Sequence, residues 1–425
     1  MNTINNKNYA QNWFFVSGLL AKSLSFVLIC FSAVFLLSTT SFAATYFVAP
    51  DGDDDNQGTV GSPFKSIMKA QEAASEGDTV YLMDGTYAEF TIAATDSNYN
   101  YVHEFTKSGI TYSAYKGGKP VVDFSDVEPT KRVAAFHVPV NVSDIKFIGL
   151  EVTGVKTGTQ KQSECFRIQG NASFDRVTCH DTEAIGFYYT TKGSGSCINC
   201  DAYNNIGPTS TSIGNIDGFG FHGSDVTVQY CRSWNNSDDG YDCINCPGTI
   251  VFDHCWAYDM TAGGDSNGFK VGGGQFSGNP PETMPVHTVK YCLSACNNSN
   301  GFYSNHNMSK AADWIYNTSY NNARGNYNML ERVGPDDLTD IPGTREVLHY
   351  NISFKGTDIL NDNLPEENKT MNSWTIDDVT VSSSDFISLD ASQMTLPRKA
   401  DGSLPDITFM HLNSDSDLEG LGCFN

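Results

Sequence analysis

An imperfect internal repeat in the middle of the chain constrains its fold more than any other feature. Seven segments share an apolar residue, two variable residues, a cysteine or asparagine, and then a small or aromatic residue. Their alignment gives one column, made of Cys179, Cys200, Cys231, Cys255, Cys292, Asn317 and Asn351. The shortest interval, about 21 residues, corresponds to one short coil, and the longer intervals indicate insertions between coils. This spacing is typical of a stacked solenoid.

A second column of glycines runs in phase with the first. It contains Gly186, Gly218, Gly240, Gly268, Gly301 and Gly325, which are followed by Phe187, Phe219, Tyr241, Phe269, Phe302 and Asn326. A glycine permits a sharp corner, so we expect the aromatic residue after it to point inward and stack. Short, evenly spaced strands without helices between them predict an all-β, right-handed parallel β-helix rather than a sandwich or a propeller.

The cysteine and asparagine column predicts a ladder of small polar side chains at the coil corners. Such side chains stack at the strand spacing and bond to the backbone of the next coil. Scattered disulfides are the alternative, because the chain has 12 cysteines. Zinc is disfavoured, since the pairs Cys197/Cys200 and Cys243/Cys246 are far apart in sequence and lack a nearby histidine pair.

The first 43 residues have the features of a signal peptide. Lys7 and Lys22 precede an apolar run from Leu24 to Leu37, and small residues before Ala44 offer a cleavage site. A membrane anchor is the alternative, but the run is shorter than the roughly 20 residues that span a bilayer. We therefore expect a secreted protein, extracellular or periplasmic, with no membrane association after cleavage. Loss of Cys30 would leave an odd number of cysteines, so at least one thiol would lack an intramolecular partner.

The remaining residues, 44–425, are expected to form one domain. Residues 44–90 predict an N-terminal cap with a short helix from Pro63 to Ala74, which would cover the open end of the first coil. From about residue 382 the repeats fade, and we expect residues 382–425 to pack as a tail along the outside of the solenoid.

The net charge of −23 restricts the possible partners. Nucleic acids and membrane surfaces are polyanions, so neither is expected as a partner. An acidic polysaccharide would need a bridging cation or a local basic patch. We expect the protein to be a monomer.

Four carboxylates converge when the coils are aligned on the glycine column. Asp217 and Asp239 each precede a glycine, Asp238 is adjacent, and Asp242 lies two residues after Gly240. A cluster of this kind raises its own pKa values unless a cation neutralises it. Ca²⁺ accepts six to eight oxygens in irregular geometry, whereas Mg²⁺ requires a tight octahedron. The spacing therefore favours a calcium site, with a solvated acidic turn as the alternative.

Lys270 occupies the position of Asp242 on the next coil. A lone outward lysine is usually only a solvated charge, but this one would lie beside the proposed metal site. A nearby cation lowers the pKa of a lysine toward the range of a base, whereas the aspartates raise it. The residues alone leave open which effect is larger.

The segments DGFGFHG, NNSDDGYDC and SNGFKVGG resemble the calcium and base motifs of polysaccharide lyase family 9, the pectate lyases. Further similarity covers the opening YFVAPDGDD, the stretch YNTSYNNARGNYN and the tail PRKADGSLPDITFMHL, so the resemblance spans most of the chain. It implies that Lys270 is the Brønsted base and that the calcium ligands are Asp217, Asp238, Asp239 and Asp242. Cysteines at many ladder positions depart from the asparagines expected in this family.

The implied reaction is β-elimination on polygalacturonate or pectate, giving 4,5-unsaturated uronides. Possible substrate contacts on the same side are Asn267, Asn300, Arg324 and Arg332. For these residues the alternatives are corner hydrogen bonding of the asparagines and plain surface charge of the arginines. Three alternative functions stay open: a lyase acting on alginate or a glycosaminoglycan, a β-helical glycoside hydrolase, and a noncatalytic carbohydrate-binding solenoid.

Overall fold

The computed structural model describes residues 43–274, 285–334 and 337–425. The predicted signal peptide lies outside these residues, apart from Ala43. Among the residues that the structure describes, no helix is long and apolar enough to cross a membrane.

Nearly all strands belong to three parallel sheets, in which each strand bonds to the equivalent strand of the next coil. The first sheet contains Thr45–Val48, Thr79–Leu82, Thr111–Ala114, Ile145–Ile148, Asn171–Asp175, Ser194–Ile198, Val226–Gln229, Ile250–Asp253, His287–Lys290, Ala312–Ile315 and Val347–His349. The second contains Gly85–Tyr87, Pro120–Asp123, Glu151–Thr153, Thr178–Thr182, Asp201–Asn205, Arg232–Trp234, Trp256–Tyr258, Leu293–Ala295, Thr318–Tyr320 and Ile352–Phe354. The third contains Ala94–Thr95, Tyr99–Glu104, Arg132–Val138, Glu164–Ile168, Ile185–Thr190, Phe219–His222, Tyr241–Asp242, Phe269–Lys270, Asn300–Tyr303, Gly325–Asn328 and Ile359–Leu360.

Successive strands of the chain belong to these three sheets in turn, so the domain is a parallel β-helix. The predicted fold class is confirmed. Two strand pairs are antiparallel: Ala94–Thr95 with Tyr99–Glu104, and Leu330–Gly334 with Asp337–Pro342. Short 3₁₀ helices cover Tyr115–Gly117, Ile213–Asn215, Glu366–Asn368, Ser383–Asp385 and Ala391–Thr395.

An aromatic stack runs through the interior behind the third sheet. Its neighbouring ring centroids are 4.6 to 5.5 Å apart, and it contains Phe136, Phe166, Phe187, Phe219, Tyr241, Phe269, Phe302 and Tyr327. The last position corrects the sequence alignment, which placed Asn326 there. Tyr327 pairs with Phe302, and Gly325 pairs with Asn300 rather than with Gly301. Burial of the Tyr327 ring in the stack stabilises this register, whereas pairing of the two glycines would bury no side chain.

The cysteine and asparagine ladder lies at the corner before the second sheet. All 11 cysteines of the described residues are free thiols, and Cys231 and Cys255 bond to carbonyls of the preceding coil at 3.3 Å. One member was misplaced: Cys179 pairs with Ala202, two residues past the column, and the column position belongs to Val177. Val177 keeps the backbone bond of the ladder: its carbonyl accepts from the Asp201 amide, as the Cys200 carbonyl accepts from the Arg232 amide.

The first coil carries a helix, and the tail covers the second sheet. The helix spans Ile67–Ala73 and is capped by the side chain of Ser66, so Pro63 precedes it instead of starting it. Its buried residues join the interior core at the N-terminal end. The tail packs apolar side chains such as Phe409 and Leu421 on the outer face of the second sheet, and Arg398 binds Asp201 at 2.7 Å.

Candidate active site

One column of outward-facing residues on the third sheet brings the predicted site together. Strand pairing aligns Gly220 with Asp242, Asp242 with Lys270, and Lys270 with Tyr303. Each residue follows an inward aromatic residue, so alternation along the strand directs it to the outer face. The glycine corner before each strand is tight: a Cβ on Gly240 would lie 2.6 Å from the Gly268 carbonyl oxygen.

The four predicted aspartates converge in two overlapping groups. In the first group, oxygens of Asp217, Asp239 and Asp242 lie within 4.8 Å of one another. In the second, Asp238 and Asp239 are equally close to Asp265, which sequence analysis did not identify. The four predicted side chains are buried, and Asp265 is exposed.

Hydrogen bonds fix one oxygen of each predicted aspartate. Asp217 Oδ1 accepts from the Asp239 amide at 3.1 Å, and Asp242 Oδ1 accepts from the Ile244 amide at 2.7 Å. Asp239 Oδ1 accepts from both the backbone and the side chain of Asn267 at 2.8 Å. Asp239 Oδ2 is buried and accepts no well-aligned hydrogen bond within the described part of the chain. Four buried carboxylates that lie this close together repel one another unless cations neutralise them, so this set of oxygens fits a hard cation.

The cluster carries more negative charge than its surroundings compensate. Burial and the neighbouring carboxylates raise the pKa of Asp217 well above its usual range. Burial and Asp239 raise the pKa of Asp238 to about 8. Burial raises the pKa of Asp239 to about 6, although Lys270 counteracts this effect. Without a metal, the cluster therefore retains protons that isolated aspartates would release near neutral pH.

Lys270 is the cation within this cluster. Its Nζ lies 2.7 Å from Asp265 Oδ2, 3.0 Å from Asp239 Oδ2 and 3.6 Å from Asp242 Oδ2. Burial lowers its pKa, but Asp239, Asp242 and Asp265 outweigh burial and raise the pKa well above the usual value. In the metal-free site Lys270 is therefore protonated, so a role as a base requires the surrounding negative charge to be neutralised first.

Two of the four predicted substrate contacts lie inside the wall of the coil. Asn267 and Asn300 are 2% and 0% exposed. They extend a ladder in which Asn300 Nδ2 donates to Asn267 Oδ1 at 2.8 Å and Asn328 Nδ2 donates to Asn300 Oδ1 at 3.1 Å. This placement favours corner hydrogen bonding, the alternative that the sequence left open, over contact with a ligand.

The two predicted arginines lie in later coils, one just before a strand of the third sheet and one in the separate antiparallel pair. Arg324 is exposed. Burial raises the pKa of Tyr303 to about 12, and the positive charges of Arg324 and Lys270 limit this rise. Because Gly325 pairs with Asn300, Arg324 falls one residue before the predicted column. Arg332 belongs to the antiparallel strand pair, where its Nε lies 3.3 Å from Asp340 Oδ1.

Sequence reasoning missed two neighbours of the cluster. Asp265 lies in the run DSNGFK, where an acid three residues before the corner glycine was the available signal. His222 lies two residues after Gly220 on the same strand, close enough for Asp242 and Lys270 to affect its pKa. Burial lowers the pKa of His222, so its ring is neutral at pH 7.

The chain is similar to known proteins over most of its length. Residues 46–351 match the family model described as "Pel9A-like, right handed beta helix region". The chain is 31% identical over 404 residues to pectate lyase L of Dickeya chrysanthemi, covering 91% of this chain and 88% of the relative.

Two solved structures share the fold over nearly the whole chain. A rhamnogalacturonan lyase superposes with a TM-score of 0.81 at 33% identity, covering 90% of this chain and 100% of the other. The pectate lyase Pel9A superposes with a TM-score of 0.71 at 28% identity, covering 90% and 92%. Both are similar in fold and sequence to the chain described here.

Proposed function

The chain belongs to the Pel9A-like, right-handed β-helix family and is a polysaccharide lyase, and we propose that it cleaves polygalacturonate by calcium-dependent β-elimination. The observation that carries the proposal is the buried aspartate cluster in direct contact with Lys270. A glycoside hydrolase or a binding module would use this lysine only as a counter-ion to the aspartates.

Asp217, Asp238, Asp239 and Asp242 are the proposed calcium ligands. Asp265 is a further carboxylate at the rim of the cluster, 2.7 Å from Lys270 Nζ. Calcium would neutralise the charge that raises the pKa of Lys270 and would polarise the carboxylate of a bound uronate.

Neutral Lys270 is the proposed Brønsted base. Its Nζ takes the C5 proton of the uronate, and the electron pair of that C–H bond forms the C4–C5 double bond. The C4–oxygen bond breaks at the same time, and the leaving oxygen of the next sugar gains a proton from solvent. The products are a shortened chain and a 4,5-unsaturated uronide.

The proposed setting is outside the cell. Residues 1–43 would direct export and be removed, which leaves a monomer that acts on an acidic polymer. A bound cation would reconcile an acidic protein with an acidic substrate, because it would neutralise carboxylates of both.

Rhamnogalacturonan is the second candidate substrate. The similarity to a rhamnogalacturonan lyase, at 33% identity, favours it as specifically as the pectate lyase relatives favour polygalacturonate. Arg324 and the antiparallel pair Leu330–Gly334 and Asp337–Pro342 lie beyond Tyr303, toward the C-terminal end of the solenoid.

The test is to follow the ultraviolet absorbance of the conjugated 4,5-unsaturated product with each polymer. The proposal predicts a calcium-dependent rise with polygalacturonate. A rise with rhamnogalacturonan alone would keep the mechanism and replace the substrate. Cleavage without the unsaturated product would show hydrolysis and overturn the proposal.

A further inference from the structure

A second group of charged side chains lies on the same sheet face, toward the N-terminal end of the solenoid. The column that contains Lys270 and Asp242 continues through Gly220 and Tyr188 to Arg167. Four strand spacings of about 4.8 Å place Arg167 about 19 Å from Lys270 along the helix axis.

Arg167 lies in an open cleft with a volume of about 420 Å³. Side chains that line this cleft include Tyr99, Lys131, Arg132, Arg167 and Tyr188. The Arg167 guanidinium lies 4.2 Å from the ring centroid of Tyr99 and 5.8 Å from that of Tyr188, and Arg132 lies 4.7 Å from the Tyr99 ring. Both guanidinium groups are therefore held in place by aromatic packing.

The cleft contains more positive than negative charge. Glu164 is fully buried and serves both arginines, with its Oε1 at 2.6 Å from Arg132 Nη2 and 3.9 Å from Arg167 Nη1. The other nearby acid, Asp96, is exposed at the rim and accepts a hydrogen bond from Tyr101. Lys131 adds a further positive charge. In a protein with a net charge of −23, this local reversal of sign marks a site for an anion.

Hydrogen-bonding capacity is also unused in the cleft. Within the described part of the chain, Arg132 Nε, Arg167 Nε and Glu164 Oε2 are buried and make no hydrogen bond, and the Arg167 side chain is 12% exposed. A guanidinium has five N–H donors, and a buried donor without a partner is costly.

We propose that this cleft is a distal subsite that binds a carboxylate of the acidic polysaccharide, through Arg167 and Arg132. The inference rests on the proposed function, which supplies the polymer. Gly220 has no side chain, and the Tyr188 ring lies over it: a Cβ there would be 2.9 Å from that ring. A polymer lying along the helix axis would reach from Lys270 to Arg167 by passing over the Tyr188 ring.

Binding of polygalacturonate in a chelator tests the subsite without any contribution from calcium. Arg167→Gln removes one guanidinium and leaves the Arg132–Glu164 pair intact, so the fold should be retained. The matched control is Arg176→Gln, because Arg176 is exposed beside the first sheet and pairs with Asp175 at 2.7 Å. We expect about tenfold weaker binding for Arg167→Gln in affinity electrophoresis, and no change for the control. Equal binding by wild type and Arg167→Gln would overturn the proposal.

Kinetics on substrates of different length provide the second test. With calcium, Arg167→Gln should raise KM for polygalacturonate about tenfold and leave kcat and the KM for trigalacturonate, which is too short to span both sites, unchanged. An equal effect on both substrates would contradict a distal subsite. If wild-type protein formed no unsaturated product but still bound the polymer through Arg167, the proposed reaction would fail and the subsite would stand.

Discussion

At the scale of single residues, the carboxylates around Lys270 determine its protonation state. Three carboxylates surround its Nζ within 3.6 Å, so the metal-free site stabilises the ammonium form. Lys270 thus occupies the cluster as a counter-ion, and it can act as a base only after another cation takes over that role.

Replacing Lys270 with alanine should abolish turnover and leave calcium bound. A positioned general base contributes about 10² to 10⁴ in rate, so we expect at least that loss in kcat. Calcium affinity should be retained, because all the proposed ligands are carboxylates. Calorimetric calcium titration checks the affinity, and the rate of product formation checks the turnover. Retained turnover would refute Lys270 as the base.

Replacing Asp239 with asparagine should weaken calcium binding. Asp239 belongs to both carboxylate groups, and its Oδ2 has no other well-aligned partner among the described residues. Because affinity depends on the number of charged ligands, we expect the calcium Kd to rise at least about tenfold. The control is Asp415→Asn, at an exposed position of the tail. Equal affinities in the two variants would exclude Asp239 as a ligand.

At the scale of elements, glycine corners position the site. Each corner turns the chain from an aspartate or asparagine that faces the next coil to an aromatic residue in the interior stack. The corner has no room for a side chain, since a Cβ on Gly240 would lie 2.6 Å from a carbonyl oxygen and 3.3 Å from the Ala257 Cβ. Asp239 and Asp242 therefore depend on Gly240 for their relative placement.

Replacing Gly240 with alanine should disturb the fold and the metal site together. The new methyl group would push the corner away from the backbone of the next coil, so both the melting temperature and the calcium affinity should fall. We expect a loss of about 1–3 kcal/mol in the free energy of unfolding, which is typical of overpacking. Gly61→Ala is the control, because no atom lies within 4 Å of its added Cβ. Equal melting temperatures would contradict the tight corner.

The sequence contained enough information for most of the repeat but not for its irregular ends. Aligned glycines and aromatics correctly placed the coils from Phe187 to Phe302, because in each of these coils the corner takes a glycine and the next position takes an aromatic residue. The alignment failed at Gly325, where a neighbouring asparagine and tyrosine satisfy the ladder and the stack better than the glycine match does. It also failed at Cys179, because Val177 occupies the column position and Cys179 lies two residues past it. Asp265 was missed because it reaches the cluster from an insertion.

At the scale of the whole molecule, the parallel register turns separated sequence positions into a continuous surface. The third sheet carries the aspartate cluster, Lys270 and the arginine cleft in one line along the axis. The tail covers the second sheet, so the outer face of the third sheet remains for a polymer.

Stability without metal should fall as the pH rises. The pKa values of Asp238 and Asp239 are raised to about 8 and about 6 in the folded protein, whereas unfolded aspartates titrate near about 4. Between these values the folded state holds more protons than the unfolded state, so the free energy of unfolding decreases with pH. The pKa of Lys270 is also raised, so its effect on the pH dependence of stability lies above this pH range.

Melting temperatures between pH 5 and pH 8 check this prediction. In a chelator they should decline with pH, and calcium at a hundred times its Kd should add about 2.7 kcal/mol at the upper end. Asp238→Asn, which removes the carboxylate with a pKa of about 8, should flatten the decline. Profiles that are identical for wild type and variant would contradict the electrostatic account of the cluster.

The most direct measurement compares the formation of unsaturated product from polygalacturonate by wild type and Lys270→Ala, each with calcium and with a chelator. The account predicts product only for wild type with calcium. Product from the variant, or from wild type in the chelator, would contradict the assignment of this cluster as the catalytic centre.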